Sequence, residues 1–213
     1  MSHVVRETPW CVIDIDTSAG SIFLQERWFY VWKCKDGQPA WTVEEKRNFH
    51  NRADRAIWAT WSFRVKLRAH GASAFARKFK DCDIGINFDI RWVLTGGHWT
   101  VTVTKIPADQ QETSFVRWND RQISLDTNDV NERKRTRGGR DYKQFPVAHE
   151  FGHAVGNTSV LGRGDEYGAD HAHKDDRASI MNVGNSLRVR HFDTVIAELD
   201  QMIPDTTFTV RAV

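Results

Sequence analysis

His149, Glu150 and His153 lie within the run His-Glu-Phe-Gly-His, and their spacing gives them chemistry. On a helix, residues four apart sit one turn apart on the same face, so both imidazoles can reach one ion. Imidazole suits zinc, and a catalytic zinc site takes three protein ligands and leaves a position for water. Glu150 follows the first ligand and leans to the side of the ion. There its carboxylate can take a proton from a water whose pKa zinc lowers to roughly 7. The cofactor implied is Zn2+ and the chemistry is hydrolysis.

A helix must carry these residues. Pro146 suits its first turn, and Val147, Ala148, Phe151 and Val155 supply apolar surface around the histidines. Gly152, between the two ligands, keeps the helix surface open at a propensity cost of about 1 kcal/mol.

The run HEFGHAVG is followed by DEYG at 165–168, SIMNVG at 179–184 and Arg190-His191-Phe192. Together these resemble the zinc metallopeptidases of the metzincin type, and more narrowly a group of bacterial metallopeptidases that includes secreted effector or toxin domains. The likeness covers 146–192; the N-terminal two-thirds matches only in its order of helix and strands. It implies a zincin-like α+β fold. It also implies a glycine, here Gly156, where the chain turns out of the helix, and a methionine turn beneath the metal, here Met181. The third ligand of such proteins falls where this chain has Ser159, and a neutral hydroxyl is a poor zinc ligand. An inserted excursion through Gly162 and Gly164 would let DEYG return to the metal, making Asp165 the first choice and Glu166 the second. His171, His173 and His191 remain alternatives as ligands or as supporting residues. Tyr167 either donates its hydroxyl to a tetrahedral intermediate or packs beside the loop.

The remaining elements must hold this helix. Residues 10–32 read as two short strands and a turn, and 35–40 as a loop. Thr42 and Glu45 have capping-box spacing, and Phe49, Ala53, Ile57 and Trp61 place apolar groups on one helix face. Alternation predicts strands at Phe63–Leu67, Ile84–Trp92 and Trp99–Val103, the last two joined as a hairpin through TGGH, and another at 121–127. Residues 128–141 read as a long polar loop whose arginines and Lys134 are solvated, since no aromatics interleave to stack on bases. Phe192, Val195, Ile196, Leu199, Met202 and Ile203 mark a C-terminal helix that Pro204 ends, and 207–213 a last strand.

Bulk properties agree with one soluble domain over 1–213, with a sheet-and-helix part (1–145) and a metal-site part (146–213). The 213 residues are 40% hydrophobic and 27% charged, with net charge +2, too weak a charge to call for nucleic acid or an anionic membrane. Cys11, Cys34 and Cys82 are too few and too scattered for a disulfide framework or a CxxC zinc site, and read as small buried hydrophobes. The N-terminus lacks the pattern of a secretory signal peptide, so the expected setting is the cytoplasm or export without a cleavable leader. The expectation is a zinc endopeptidase acting on a protein or peptide, with no nucleic-acid or membrane partner. A secretion machinery and an inhibitor or immunity protein stay unidentified. The alternatives are a housekeeping intracellular metallopeptidase and a non-catalytic binding module with a structural zinc.

Overall fold

A long strand organises the chain. The computed structural model describes residues 2–213. Strands β1 (His3–Glu7), β2 (Val12–Asp16) and β3 (Ser21–Cys34) form an antiparallel meander; residues 10–32 hold β2, a turn and most of β3, the two strands expected there, and β1 precedes them. In β3, Ile22, Leu24, Trp28 and Tyr30 alternate inward, as a sheet with one covered face requires.

Helix α1 (Val43–Trp61) starts at the predicted capping box, with Thr42 and Glu45 satisfying each other's backbone N–H. Glu45 also pairs with Lys105 at 2.7 Å. The helix stops at Ser62, whose hydroxyl donates to Phe88 O and accepts from Phe88 N. Strand β4 (Lys66–Gly71) starts later than the alternation of Phe63 and Val65 suggested. Phe63 is exposed and has φ 57°, a left-handed turn that separates helix from strand. A short α2 (Ala74–Lys78) follows.

Strands β5 (Ile84–Val93) and β6 (Trp99–Lys105) form where predicted but are not a hairpin. Both run parallel to β3, on opposite sides: β5 along Ser21–Phe29 and β6 along Trp28–Cys34. The connection at 94–98 therefore crosses β3 without reversing direction, which alternation alone could not reveal. The crossing is close. A Cβ on Gly97 would lie 2.8 Å from Phe29 Cβ and 2.9 Å from its backbone nitrogen. His98 Nδ1 accepts the N–H of Arg27 at 2.8 Å, just before β3 exchanges the β2 ladder for that of β6.

Strands β7 (Phe115–Arg117) and β8 (Gln122–Asp126) extend the sheet. Its order is β11-β4-β5-β3-β6-β8-β7, with β1 and β2 branching from β3. The expected polar loop at 128–141 instead contains β9 (Arg133–Arg137), which pairs with β10 (Arg140–Gln144) in a separate hairpin. Gly138 and Gly139 both have positive φ, and the tight turn they allow makes a strand pair from residues with little apolar character.

Helix α3 (Pro146–Ala154) carries the His-Glu-Phe-Gly-His run. The C-terminal helix is shorter than predicted: a 3-10 turn at Val189–Phe192 leads into α4 (Asp193–Leu199), and Met202 and Ile203 follow it. Strand β11 (Thr206–Ala212) closes the sheet beside β4. Of the three cysteines only Cys11 is buried; Cys34 and Cys82 are exposed, contrary to the expectation for all three.

The core between α1, α3 and the sheet is aromatic. Trp61 packs edge-on against Phe88, Phe151 and Phe192 at centroid distances of 5.7–5.9 Å, an arrangement worth about 1 kcal/mol per pair beyond the area buried. The Trp61 indole N–H donates to Ala148 O at 3.0 Å, fastening α3 to α1 one residue before the first histidine. The result is one mixed α+β domain, and among the described residues no helix is long and apolar enough to cross a membrane.

Candidate metal centre

Three side chains converge beside α3. His149 Nε2 lies 3.2 Å from His153 Nε2, and Asp165 Oδ1 lies 3.1 Å from the first and 3.3 Å from the second. Among the described residues this is the one group of three or more histidine, cysteine or acidic side chains close enough to share an ion.

The far ring nitrogens set the chemistry of the near ones. His149 Nδ1 is 2.6 Å from Ile180 O, and His153 Nδ1 is 2.5 Å from Asn157 O. A carbonyl only accepts, so each Nδ1 carries the proton and each neutral ring presents an Nε2 lone pair to its partner and to Asp165. Two lone pairs and a carboxylate oxygen facing one another repel unless a cation or a proton lies among them. Without an ion, protons take that role. Burial works against the charge of His153, but Asp165 and Glu150 raise its pKa overall. Burial likewise opposes ionisation of Asp165, yet its hydrogen bonds to the two imidazoles hold the carboxyl far below the usual carboxylate range. The donor set fits zinc, which takes imidazole and carboxylate in open three-ligand sites.

The chain reaches this geometry by local devices. Gly156 has φ 107°, and a Cβ there would lie 2.4–2.6 Å from three Thr194 side-chain atoms, so only glycine makes the exit from α3. The insertion then folds as a 3-10 turn at Ser159–Leu161, capped by Gly162 at φ 73°. Ser159 belongs to that turn, and Asp165 arrives at the histidines in its place. Tyr167 donates its hydroxyl to Asp165 Oδ2 at 2.7 Å, so in this structure it orients the carboxylate.

The other candidates lie elsewhere. Glu166 is buried and held by Arg190 at 2.6 and 2.9 Å, with its backbone N–H on Met181 O. Burial disfavours its charge, but the Arg190 and His191 contacts lower its pKa all the same. His191 accepts the Arg188 N–H at Nδ1, which leaves Nε2 to donate toward Ser179 and Glu166. His171 lines the cleft without joining the three, and His173 is exposed. Met181 is buried, and a Cβ on Gly152 would meet its sulfur at 2.6 Å. The turn that carries Met181 thus lies against α3 between the two histidines, and Gly152 is the residue that admits it.

Glu150 is buried, with Oε2 free of any hydrogen-bond partner among the described residues. Burial pushes its pKa up, against the pull of the two imidazoles. It lies between two adjoining cavities, of about 520 Å3 and about 310 Å3, which both also reach His149 and Tyr167.

Two supporting residues escaped the sequence reading. Gln144 Nε2 lies 2.9 Å from Ile180 O and 3.1 Å from both Asn182 O and Gly184 O, holding the turn whose Ile180 carbonyl orients His149. Asn157 Nδ2 bridges Gly152 O and His191 O, fixing the carbonyl that orients His153. Their partners are main-chain carbonyls, several of them more than 30 residues away, which leave no residue-type signal. Set against known protein families, curated proteins and solved structures, the chain shows no match to any.

Proposed function

We propose that this chain is a zinc-dependent endopeptidase of the zincin type, holding its metal through His149, His153 and Asp165. The observation that carries the reading is the convergence of two Nδ1-tethered imidazoles and one carboxylate beside a buried, partner-free glutamate. A zinc ion in such a set acidifies water and polarises a carbonyl. Glu150 takes the proton of the attacking water as its oxygen bonds to the peptide carbon, then delivers it to the amide nitrogen as the C–N bond breaks. Tyr167 keeps the Asp165 carboxylate turned toward the imidazoles. Strand β7 ends the sheet, and its start, Phe115 and Val116, lines the larger cavity. Its unpaired edge supports an extended peptide lying alongside.

A purely structural zinc would call for a fourth protein ligand. Among the described residues the group has three members, and it borders a cleft, which favours catalysis. The test is hydrolysis of a mixed peptide library by zinc-loaded protein. Glu150→Gln is expected to keep zinc and lose turnover by roughly a hundred-fold or more. A zinc-loaded parent that cleaves nothing, or a fully active Glu150→Gln, contradicts the proposal.

A further inference from the structure

We propose that Arg135 is a specificity-determining residue that makes the cleft select peptides bearing a carboxylate beside the bond presented to His149, His153 and Asp165. The inference rests on the peptidase reading above and adds a substrate class to it. Its basis is the alternation of β9. Lys134 and Thr136 turn to one face, where both meet Asp141 at 2.7 Å. Arg133, Arg135 and Arg137 turn to the other. Arg133 is anchored on Asp129 at 2.7 Å and Asp126 at 3.3 Å, and Arg137 donates to Tyr167 O at 2.9 Å. These two anchors hold the arginine face over the metal loop, with Arg135 between them.

Arg135 itself is exposed and, unlike Arg133, Lys134 and Lys143, is matched to no carboxylate among the described residues. It lines the cavity of about 310 Å3 that reaches His149, Glu150 and Tyr167. The one other acidic side chain lining that cavity is Glu112, which pairs with Lys35 at 3.3 Å. Apart from Pro146 and Tyr167 the lining is polar, so an apolar substrate side chain finds little to pack on. A carboxylate finds a guanidinium fork that can hold it with two parallel hydrogen bonds. That carboxylate could belong to an Asp or Glu side chain or to the substrate's own C-terminus.

The experiment uses the zinc-loaded 213-residue chain and matched peptides carrying Glu or Gln at each position flanking the cleaved bond, each as a free acid and as an amide. Cleavage is read as kcat/KM, and binding to the Glu150→Gln variant by fluorescence polarisation. The parent is expected to favour Glu over Gln roughly ten-fold at low salt, less at high salt. Arg135→Gln brings the ratio to about one, Arg135→Glu reverses it, and Arg140→Gln, on the same hairpin but outside the cavity, leaves it in place. A preference for free acid over amide that Arg135→Gln removes assigns the carboxylate to the substrate terminus. Cleavage with no discrimination in either pair, or discrimination that survives Arg135→Glu, overturns the proposal and leaves the peptidase reading standing. Arg135-dependent discrimination in binding without cleavage of any peptide does the reverse.

Discussion

Gln144 is the most informative place to disturb the candidate metal centre without touching a proposed ligand. It is 2% exposed, and its amide group faces the carbonyls of Ile180, Asn182 and Gly184. In Gln144→Ala, Ile180 O keeps the His149 ring N–H at 2.6 Å, but Asn182 O and Gly184 O lose the donor they share. A buried carbonyl left without a donor costs about 1–3 kcal/mol, so the two together should lower the stability of the metal-free chain by about 3 kcal/mol. With a urea slope of about 2–3 kcal/mol/M for a chain of this size, the unfolding midpoint drops by roughly 1 M. The turn that orients His149 loosens as well, and loss of such support typically weakens metal affinity roughly ten- to hundred-fold. Urea unfolding in the presence of a chelator gives the first quantity, and competition with a chromophoric zinc chelator gives the second. A variant within about 0.5 kcal/mol of the parent and with unaltered zinc affinity would refute the claim that Gln144 positions His149.

Two further outcomes rest on buried groups elsewhere in the fold. Burial, together with the nearby Arg27 charge, lowers the His98 pKa from 6.5 to about 4. As pH falls the unfolded chain therefore takes up this proton first, and stability that is full above pH 6.5 is lost between 6.5 and about 4, by up to about 3 kcal/mol. Urea midpoints across that range, compared between parent and His98→Gln, isolate the contribution, and identical pH profiles would contradict it. Gly156→Ala combines a left-handed φ of 107° with Cβ contacts of 2.4–2.6 Å to Thr194. It should cost about 3 kcal/mol, or roughly 10 °C in Tm; an unchanged thermal transition would show that the chain can leave α3 another way.

What was legible in the sequence was whatever short-range periodicity or pairing encodes. The capping box of Thr42 and Glu45, the inward alternation of β5 and β6, and the shared face of His149 and His153 all lie within one element, and each formed as read. The hairpin expected between β5 and β6 failed because alternation gives a strand's faces but not its neighbours. The clue was the Gly96-Gly97 pair, which permits a close crossing as readily as a turn. The β9–β10 hairpin was hidden because its residues are charged and pair mainly with one another, leaving no apolar stripe. At the candidate metal centre, spacing supplied the helix-borne pair. The choice between Asp165 and Glu166 depended on the far end of the loop, where Arg190 takes Glu166 and leaves Asp165 for the imidazoles.

That division of labour offers the most direct test of the account. The parent chain, Asp165→Ala and Glu166→Gln are each equilibrated with zinc, passed over a chelating resin and assayed for bound metal by atomic emission. The parent and Glu166→Gln are expected to retain about one equivalent, and Asp165→Ala to lose most of it. A parent that carries no zinc, or an Asp165→Ala chain that holds zinc as tightly as the parent, would contradict the assignment of His149, His153 and Asp165 as a metal site.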